Sequence, residues 1–224
     1  NIGENIRFFT DPEAQKNIAG AIVSKTFGNP LSKEVAQKIL ENIEVFTDPE
    51  AQRCIGSAIK EGRFGIPVPV EVAKTIAEKI SVFTDPKAQK YVIMALANKI
   101  FGKPVPKDVA KTIAEKISIF TDPEAQKGLA MAIKWGSFGI PVHVEVAQKI
   151  AENLAVFIDT DAQVHVTEAI SIGVFGDPLP QEVTQKIAEN LYIFKEEKSK
   201  RSIVKSIFEG KFGNRNTLPD FFKE

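Results

Sequence analysis

Few side chains in this 224-residue sequence could act as a nucleophile or bind a soft metal ion. The chain has one cysteine, Cys54, and two histidines, His143 and His165, which fall at different places along it. A zinc site needs three or four converging ligands, and a reactive thiolate needs a base and a positively charged neighbour. Arg53 adjoins Cys54, but adjacent residues of a helix point in different directions. The sequence therefore predicts no catalytic residue, no metal site and no cofactor.

Acidic residues that could act as general acids or bases recur along the chain instead of forming one unique pair. A glutamate returns every 37 residues, and a lysine or an asparagine follows it directly. On helices such a row has two interpretations: a solvated, charge-balanced face, which we favour, or a polar groove for an extended peptide. This candidate polar face comprises Glu41, Glu78, Lys79, Glu115, Lys116 and Glu152.

The same spacing of 37 residues governs the whole chain. Four copies open with the tetrapeptide Phe-Thr-Asp-Pro, and a phenylalanine marks the same position in two more. A fixed period of roughly 20–50 residues is typical of a stacked repeat protein. The phenylalanines that mark the period are Phe9, Phe46, Phe83, Phe120, Phe157 and Phe194.

One copy, residues 46–82, shows what each repeat contains. An aspartate before Pro49 predicts a helix start, because its side chain can accept hydrogen bonds from the first free N–H groups. Apolar residues follow at helical spacing until Gly62. Glycine suits this place, because it readily adopts the left-handed backbone conformation at which many helices end. Beyond Pro67 a second helix is predicted, with apolar positions from Val72 to Val82. The fold class is therefore all-α, an α-solenoid of stacked two-helix repeats with a 37-residue period.

The copies divide residues 1–224 into a single repeat array. We interpret residues 1–8 as half a repeat, because they align with the end of the next copy. Residues 194–224 form a C-terminal capping unit, more charged at its start than the other copies and irregular at its end. The full repeats are 9–45, 46–82, 83–119, 120–156 and 157–193.

The first helix, from Asp11-Pro12-Glu13 through Ala21-Ile22, resembles the opening helix of HEAT-like repeats. The resemblance covers the whole chain at the level of architecture. The Phe-Gly loop and the Pro-x-Pro turn, as in Pro104-Val105-Pro106, lie outside the usual HEAT pattern. The resemblance implies a right-handed α-solenoid that binds partners along one face, and it implies no catalytic residues.

Positions that stay constant are predicted to build the stack, and positions that change are predicted to be exposed. The phenylalanine of each Phe-Gly pair is expected to anchor the core between repeats. Three sets near the first helix differ among the copies, including the set of Ile100, Ser137 and Val174. Such variation is either drift on unconstrained surface or diversification for a ligand. The candidate partner-binding residues, chosen because tyrosine and tryptophan are frequent in binding hot spots, are Tyr91, Trp135, Glu61, Arg63, Asn98 and His165.

Composition limits the function further. The net charge is zero, from 29 basic and 29 acidic residues, which disfavours binding to nucleic acid by bulk charge. A single cysteine excludes an internal disulfide framework, and no apolar run reaches the length of a membrane span. We expect a soluble, cytoplasmic, non-enzymatic scaffold that binds a protein or peptide partner. Nucleic-acid binding by helical repeats is the alternative, and an enzyme built on a solenoid is a third.

Overall fold

The computed structural model of the protein describes residues 5–213. This part of the chain is all-helical, with eleven α-helices and several short 3₁₀ turns but no β-strand. Residues 1–4 of the predicted half repeat and residues 214–224 of the predicted capping unit lie outside the described residues.

The first helix of each repeat has twelve residues, and it begins where the sequence predicts. Asp48 shows the reason: its Oδ1 accepts hydrogen bonds from the N–H groups of Glu50 and Ala51 at 2.9 and 3.0 Å, and Pro49 occupies the first helical position. The first helices are α1 (Pro12–Val23), α3 (Pro49–Lys60), α5 (Pro86–Ala97), α7 (Pro123–Lys134), α9 (Thr160–Ser171) and α11 (Glu197–Phe208).

The second helix of each repeat has nine residues and is shorter than predicted. In residues 46–82 it ends at Glu78, and a 3₁₀ turn at Ile80–Val82 takes over. The apolar pattern continues through this turn because Ile80 is still buried, so periodicity alone could not show the change of helix type. The second helices are α2 (Lys33–Glu41), α4 (Val70–Glu78), α6 (Lys107–Glu115), α8 (Val144–Glu152) and α10 (Gln181–Glu189).

The helices pack in two layers. Each first helix contacts the first helix of the next repeat, in the order α1, α3, α5, α7, α9 and α11. The second helices contact one another in the same way, from α2 to α10. One contiguous core runs between the layers, and the Phe-Gly phenylalanines belong to it as predicted. They are fully buried at Phe64, Phe101, Phe138 and Phe175, and half-buried at Phe27 of the first repeat.

The prediction that Ile100, Ser137 and Val174 lie on the surface is wrong, because all three are buried. Each of them follows a first helix, where the chain contacts the loop of the preceding repeat. Their backbone carbonyls accept hydrogen bonds from that loop, for example from the N–H of Val68 to the carbonyl of Ile100 at 2.8 Å. Such bonds are made by the backbone, so the side-chain type can vary although the position is enclosed.

A second set of ties between repeats is formed by buried glutamines, which we call the glutamine ladder. Gln52 donates from Nε2 to the carbonyls of Phe46 and Val82, at 3.0 and 3.1 Å. Its Oε1 accepts from the N–H groups of Thr84 and Asp85 in the next repeat, both at 3.0 Å. One side chain thus satisfies four backbone groups where two repeats meet. The equivalent residues are Gln15, Gln89, Gln126 and Gln163.

Candidate binding surface

The candidate polar face lies where the second helices end, and its cations tie neighbouring repeats together. Lys79 pairs with Glu44 of the preceding repeat, and the ammonium of Lys116 donates to the backbone carbonyl of Glu78. In the next copy Asn153 takes this place, and its Nδ2 donates to the carbonyl of Ala114 at 3.3 Å. Lys116 and Asn153 thus satisfy backbone carbonyls near helix ends, and Lys79 neutralises a carboxylate, which are structural tasks.

The glutamates of the same row are mostly engaged within their own helices. Lys38 lies 3.4 Å from Glu41, and Lys149 donates to Glu152 at 2.8 Å. The hydrogen bond from Lys149 holds the pKa of Glu152 below its usual value, despite partial burial. Glu115 is exposed at the end of α6. The geometry therefore matches the charge-balanced interpretation of this face better than a peptide groove.

The first-helix layer contains a groove of about 290 Å³ between α5 and α7. We call it the α5–α7 groove. It brings together two of the variable candidates, Asn98 and Trp135, which occupy equivalent positions directly after their helices. Met94 and Met131, equivalent to each other in neighbouring repeats, also line it. Trp135 is 48% exposed, which is unusual for the largest aromatic side chain of a soluble protein.

Gly128 lines the groove at a position where α7 packs closely on α5. The other copies carry Asn17, Cys54, Tyr91 and His165 at this position. A Cβ at residue 128 would lie 3.0 Å from Cγ2 of Ile93 on α5, so a larger side chain there would require Ile93 to shift. The sequence contained this signal, since glycine in the middle of a helix lowers its stability and calls for a packing or functional reason.

Tyr91 lies on α5, at the position that Gly128 occupies in the next repeat. Its ring is half-buried, and the ammonium of Lys60 lies 4.5 Å from the ring centroid, within cation–π distance. Tyr91 therefore faces the α3 side of α5, whereas Met94 and Asn98 face α7. The structure places Tyr91 next to the groove and does not include it in the lining.

Ion pairs connect α7 to the helices on both sides. Lys90 of α5 donates to Glu124 at 3.2 Å. Lys127 donates to Asp161 of α9 at 2.6 Å, and this hydrogen bond lowers the pKa of the Asp161 carboxyl. The two lysines that line the groove, Lys90 and Lys127, are therefore already paired with carboxylates.

Glu168 of α9 is the most perturbed carboxylate of the described residues. Lys134 donates to it at 2.8 Å, and Lys198 lies 3.1 Å away. The hydrogen bond from Lys134 is the main reason that its pKa falls to about 2, and Lys198 adds to the effect against the cost of burial. His165 Nδ1 lies 3.5 Å from the same carboxylate. This cluster joins α7, α9 and α11 and lies on α9, outside the groove lining.

The remaining candidates lie outside the groove. The guanidinium of Arg63 donates to the carbonyl of Val23, to Asn29 and to Glu61, at 3.1, 3.0 and 2.7 Å. Because the Arg63 side chain is only 14% exposed, its donors join the first two repeats and are poorly accessible to a partner. Glu61 also accepts from Ser57 at 2.9 Å.

Two features of residues 5–213 concern the candidate nucleophile and metal ligands of the sequence. Burial raises the pKa of the half-buried Cys54 thiol, which keeps it in the unreactive thiol form. In this part of the chain no three His, Cys, Asp or Glu side chains are grouped so as to hold a metal ion. Nor does any of its helices combine the length and the apolar character needed to cross a membrane.

Comparison with family models, with curated proteins and with solved structures finds no match to this chain. The resemblance to HEAT-like repeats therefore stays a prediction from the sequence motifs.

Proposed function

We propose that the chain is a right-handed α-solenoid with a 37-residue period that acts as a non-enzymatic scaffold for a protein or peptide partner. The starts of the first helices support the period, because they lie 37 residues apart from Pro12 to Glu197. A single half-buried cysteine suits a reducing compartment, and we propose a cytoplasmic location on that basis.

The observation that carries the proposal is the α5–α7 groove with the half-exposed Trp135 at its edge. Tryptophan is among the residues most often found in binding hot spots, because it buries a large rigid surface and can still donate a hydrogen bond. Methionine is flexible and polarisable, so Met94 and Met131 can adapt to the side chains of a partner. Exposed apolar groups in a concave site are typical of a surface that a partner covers.

The positions equivalent to Trp135 in two other repeats fit this role less well. At the position of Trp135, the second repeat carries Glu61, which is engaged by Arg63. The fifth repeat carries Ile172, which is 61% exposed but does not line the groove. Ile172 therefore serves as a matched control: it has the same register, it is also apolar and exposed, and it belongs to another repeat.

The test is a selection of binders from a displayed library of random peptides, followed by affinity measurements on purified variants. Trp135 is the only tryptophan, so its fluorescence reports binding at the groove directly. We expect Trp135→Ala to weaken the selected peptides by about thirtyfold or more, and Ile172→Ala to change affinity by no more than about twofold. If no selected peptide is sensitive to Trp135→Ala, the proposed function of the groove is wrong.

A further inference from the structure

The first helix of the capping unit, α11, has an open cavity on one side. The cavity has a volume of about 470 Å³ and lies between α11 and the 3₁₀ turn Leu191–Ile193. Val204 lines it and is 48% exposed, although the residues at the same position in the other first helices are all buried. These equivalents are Ala19, Gly56, Ile93, Ala130 and Thr167. We use the name α11 face for the cavity residues Phe194, Lys195, Lys200, Ile203 and Val204 together with Arg201.

In the other repeats the same side of the first helix is covered by another helix. Each first helix contacts the first helix of the next repeat. Gly56, the equivalent of Val204, shows how close this contact is, because a Cβ there would lie 2.9 Å from the backbone oxygen of Ala88 on α5. The α11 face therefore corresponds to a surface on which, everywhere else in the described array, a helix packs.

A cation on this side of a first helix binds a carboxylate at the start of the helix that covers it. This holds in four successive repeats, and the pairs are Lys16 with Glu50, Arg53 with Asp85, Lys90 with Glu124 and Lys127 with Asp161, at 3.9, 2.8, 3.2 and 2.6 Å. Arg201 occupies the same position in α11 and is exposed. Among residues 5–213 no carboxylate lies within 4.0 Å of its guanidinium. By register, Arg201 thus faces the place of a covering helix and lacks the carboxylate that its equivalents have.

Two lysines distinguish the α11 face from the interfaces inside the array. Lys200 replaces the glutamine of the glutamine ladder, and Lys195 stands where four copies carry threonine. Glutamine offers both a donor and an acceptor, whereas an ammonium group only donates. Lys200 donates to Glu197 at 2.9 Å, and no carboxylate of the described residues lies within 4.0 Å of the Lys195 ammonium. A helix on this face cannot be held through its backbone N–H groups, as inside the array, but its carboxylates can accept from these cations.

We propose that the α11 face binds an amphipathic helix of a partner protein that carries acidic residues in its first turn. The apolar stripe of this helix covers Phe194, Ile203 and Val204, and its first-turn carboxylates lie near Arg201 and Lys195. Acidic residues in the first turn also stabilise the bound helix itself. A cavity of about 470 Å³ is within the range of ligand sites, so it can accept more than one apolar side chain of the helix. Packing of an apolar helix face into a groove is a common mode of peptide recognition.

The test uses two synthetic helical peptides of about 20 residues, held helical by side-chain cross-links because shorter free helices are marginal in water. Both carry the same apolar stripe and a fluorescent label. The first turn contains Asp and Glu in one peptide and Lys and Arg in the other. In fluorescence anisotropy with the full chain, we expect the acidic peptide to bind at least about tenfold more tightly. Raising the salt to about 1 M should reduce this preference, because the Debye length falls to about 3 Å.

Variants of Arg201 show whether the preference comes from the α11 face. We expect Arg201→Glu to weaken the acidic peptide about five- to tenfold and to strengthen the basic one, because attraction and repulsion are exchanged at an exposed site. Glutamate at residue 201 would follow Glu197 by four residues, which weakens a helix, so Arg201→Gln is measured as well. It should weaken the acidic peptide about two- to threefold and leave thermal unfolding unchanged.

Two controls separate this surface from others. Lys103→Glu makes the same charge change at an exposed loop position of another repeat and should leave both affinities unchanged. Trp135→Ala should also leave them unchanged, because Trp135 lines the α5–α7 groove and not the α11 face. The inference and the proposed function of the groove can therefore fail independently.

Several outcomes would overturn the inference. One is that neither peptide binds at about 1 mM, which is an affinity of only about −4 kcal/mol. Another is equal binding of both peptides, or an acidic peptide that is insensitive to Arg201→Glu. Self-association that is lost in Arg201→Glu and in Glu13→Arg, and restored when both are combined, would assign the face to α1 of a second copy. Binding that appears only after Phe221 and Phe222 are replaced by serine would assign it to residues 214–224 of the chain itself.

Discussion

The glutamine ladder provides the sharpest prediction about what holds the repeats together. Replacing Gln52 by leucine keeps a side chain of similar size at a site that is only 3% exposed. It removes four hydrogen bonds to backbone groups, two to carbonyls and two from N–H groups. A net contribution of about 1 kcal/mol for each bond gives a loss of about 4 kcal/mol in the free energy of unfolding.

The matched comparison is Gln89→Leu in the next repeat. Gln89 has similar burial, but it makes only two of these bonds, to the carbonyls of Phe83 and Ile119. Its Oε1 has no hydrogen-bond partner among the described residues. We therefore expect a loss of about 2 kcal/mol, half of that for Gln52→Leu. The exposed Gln185 is the control, and Gln185→Leu should change stability by less than about 0.5 kcal/mol.

The assay is urea unfolding followed by circular dichroism and by Trp135 fluorescence, together with amide hydrogen exchange. Because a repeat array depends on contacts between neighbours, weakening one interface can separate the two signals into distinct transitions. The amides of Thr84 and Asp85 should lose protection in Gln52→Leu before those of other repeats. A loss below about 1 kcal/mol, with both amides still protected, would refute the argument that Gln52 holds this interface.

Two further predictions concern helix packing and pH. Gly20→Ala should stabilise the protein by about 0.5–1 kcal/mol, because a Cβ there has no neighbour within 4 Å and alanine favours the helix. Gly56→Ala should instead destabilise the protein by about 1–2 kcal/mol, because the new Cβ would lie 2.9 Å from the backbone oxygen of Ala88. Equal shifts of the melting temperature in the two variants would contradict this reasoning. The carboxyl of Glu168 has a pKa of about 2 in the folded protein, against an ordinary value of 4.5. Its pairing with Lys134 therefore contributes stability that is complete above pH 4.5 and is lost as the pH falls towards 2. After allowance for partial exposure the contribution is about 1–3 kcal/mol, so the stability difference between wild type and Glu168→Gln should shrink over that interval; a difference independent of pH would contradict this prediction.

The sequence predicted the helices well because their signals are local. An aspartate before Pro49 and a glycine at residue 62 set the ends of α3 without help from the rest of the chain. The burial of Phe64 and its equivalents was also predicted, since a large aromatic residue that recurs in every copy chiefly contributes buried apolar area. The shorter second helix was missed because burial of Ile80 continues the same apolar pattern through a 3₁₀ turn.

The sequence contains a signal for the glutamine ladder, but the ladder was not predicted. A glutamine recurs at one position of five successive first helices, and in four of them the alanine directly before it packs in the core. Two of the residues that Gln52 binds, Val82 and Thr84, lie 30 and 32 residues away, so sequence spacing within one helix could not reveal them. The ties from Val68 to Ile100 were hidden for a related reason, because a backbone bond leaves no mark on side-chain type.

By itself the sequence predicted the helical repeat, the positions of the caps and most core residues, because caps depend on neighbouring residues and burial follows the helical spacing of apolar side chains. Only the tertiary structure decided which variable residues meet. Asn98 and Trp135 are 37 residues apart and line one groove, whereas Arg63 binds Glu61 and the first repeat. Stacking brings residues of equal register close together, and the neighbouring side chains then decide whether the space between them is filled or open. Between α5 and α7 the space is open, and Asn98, Gly128 and Trp135 line it.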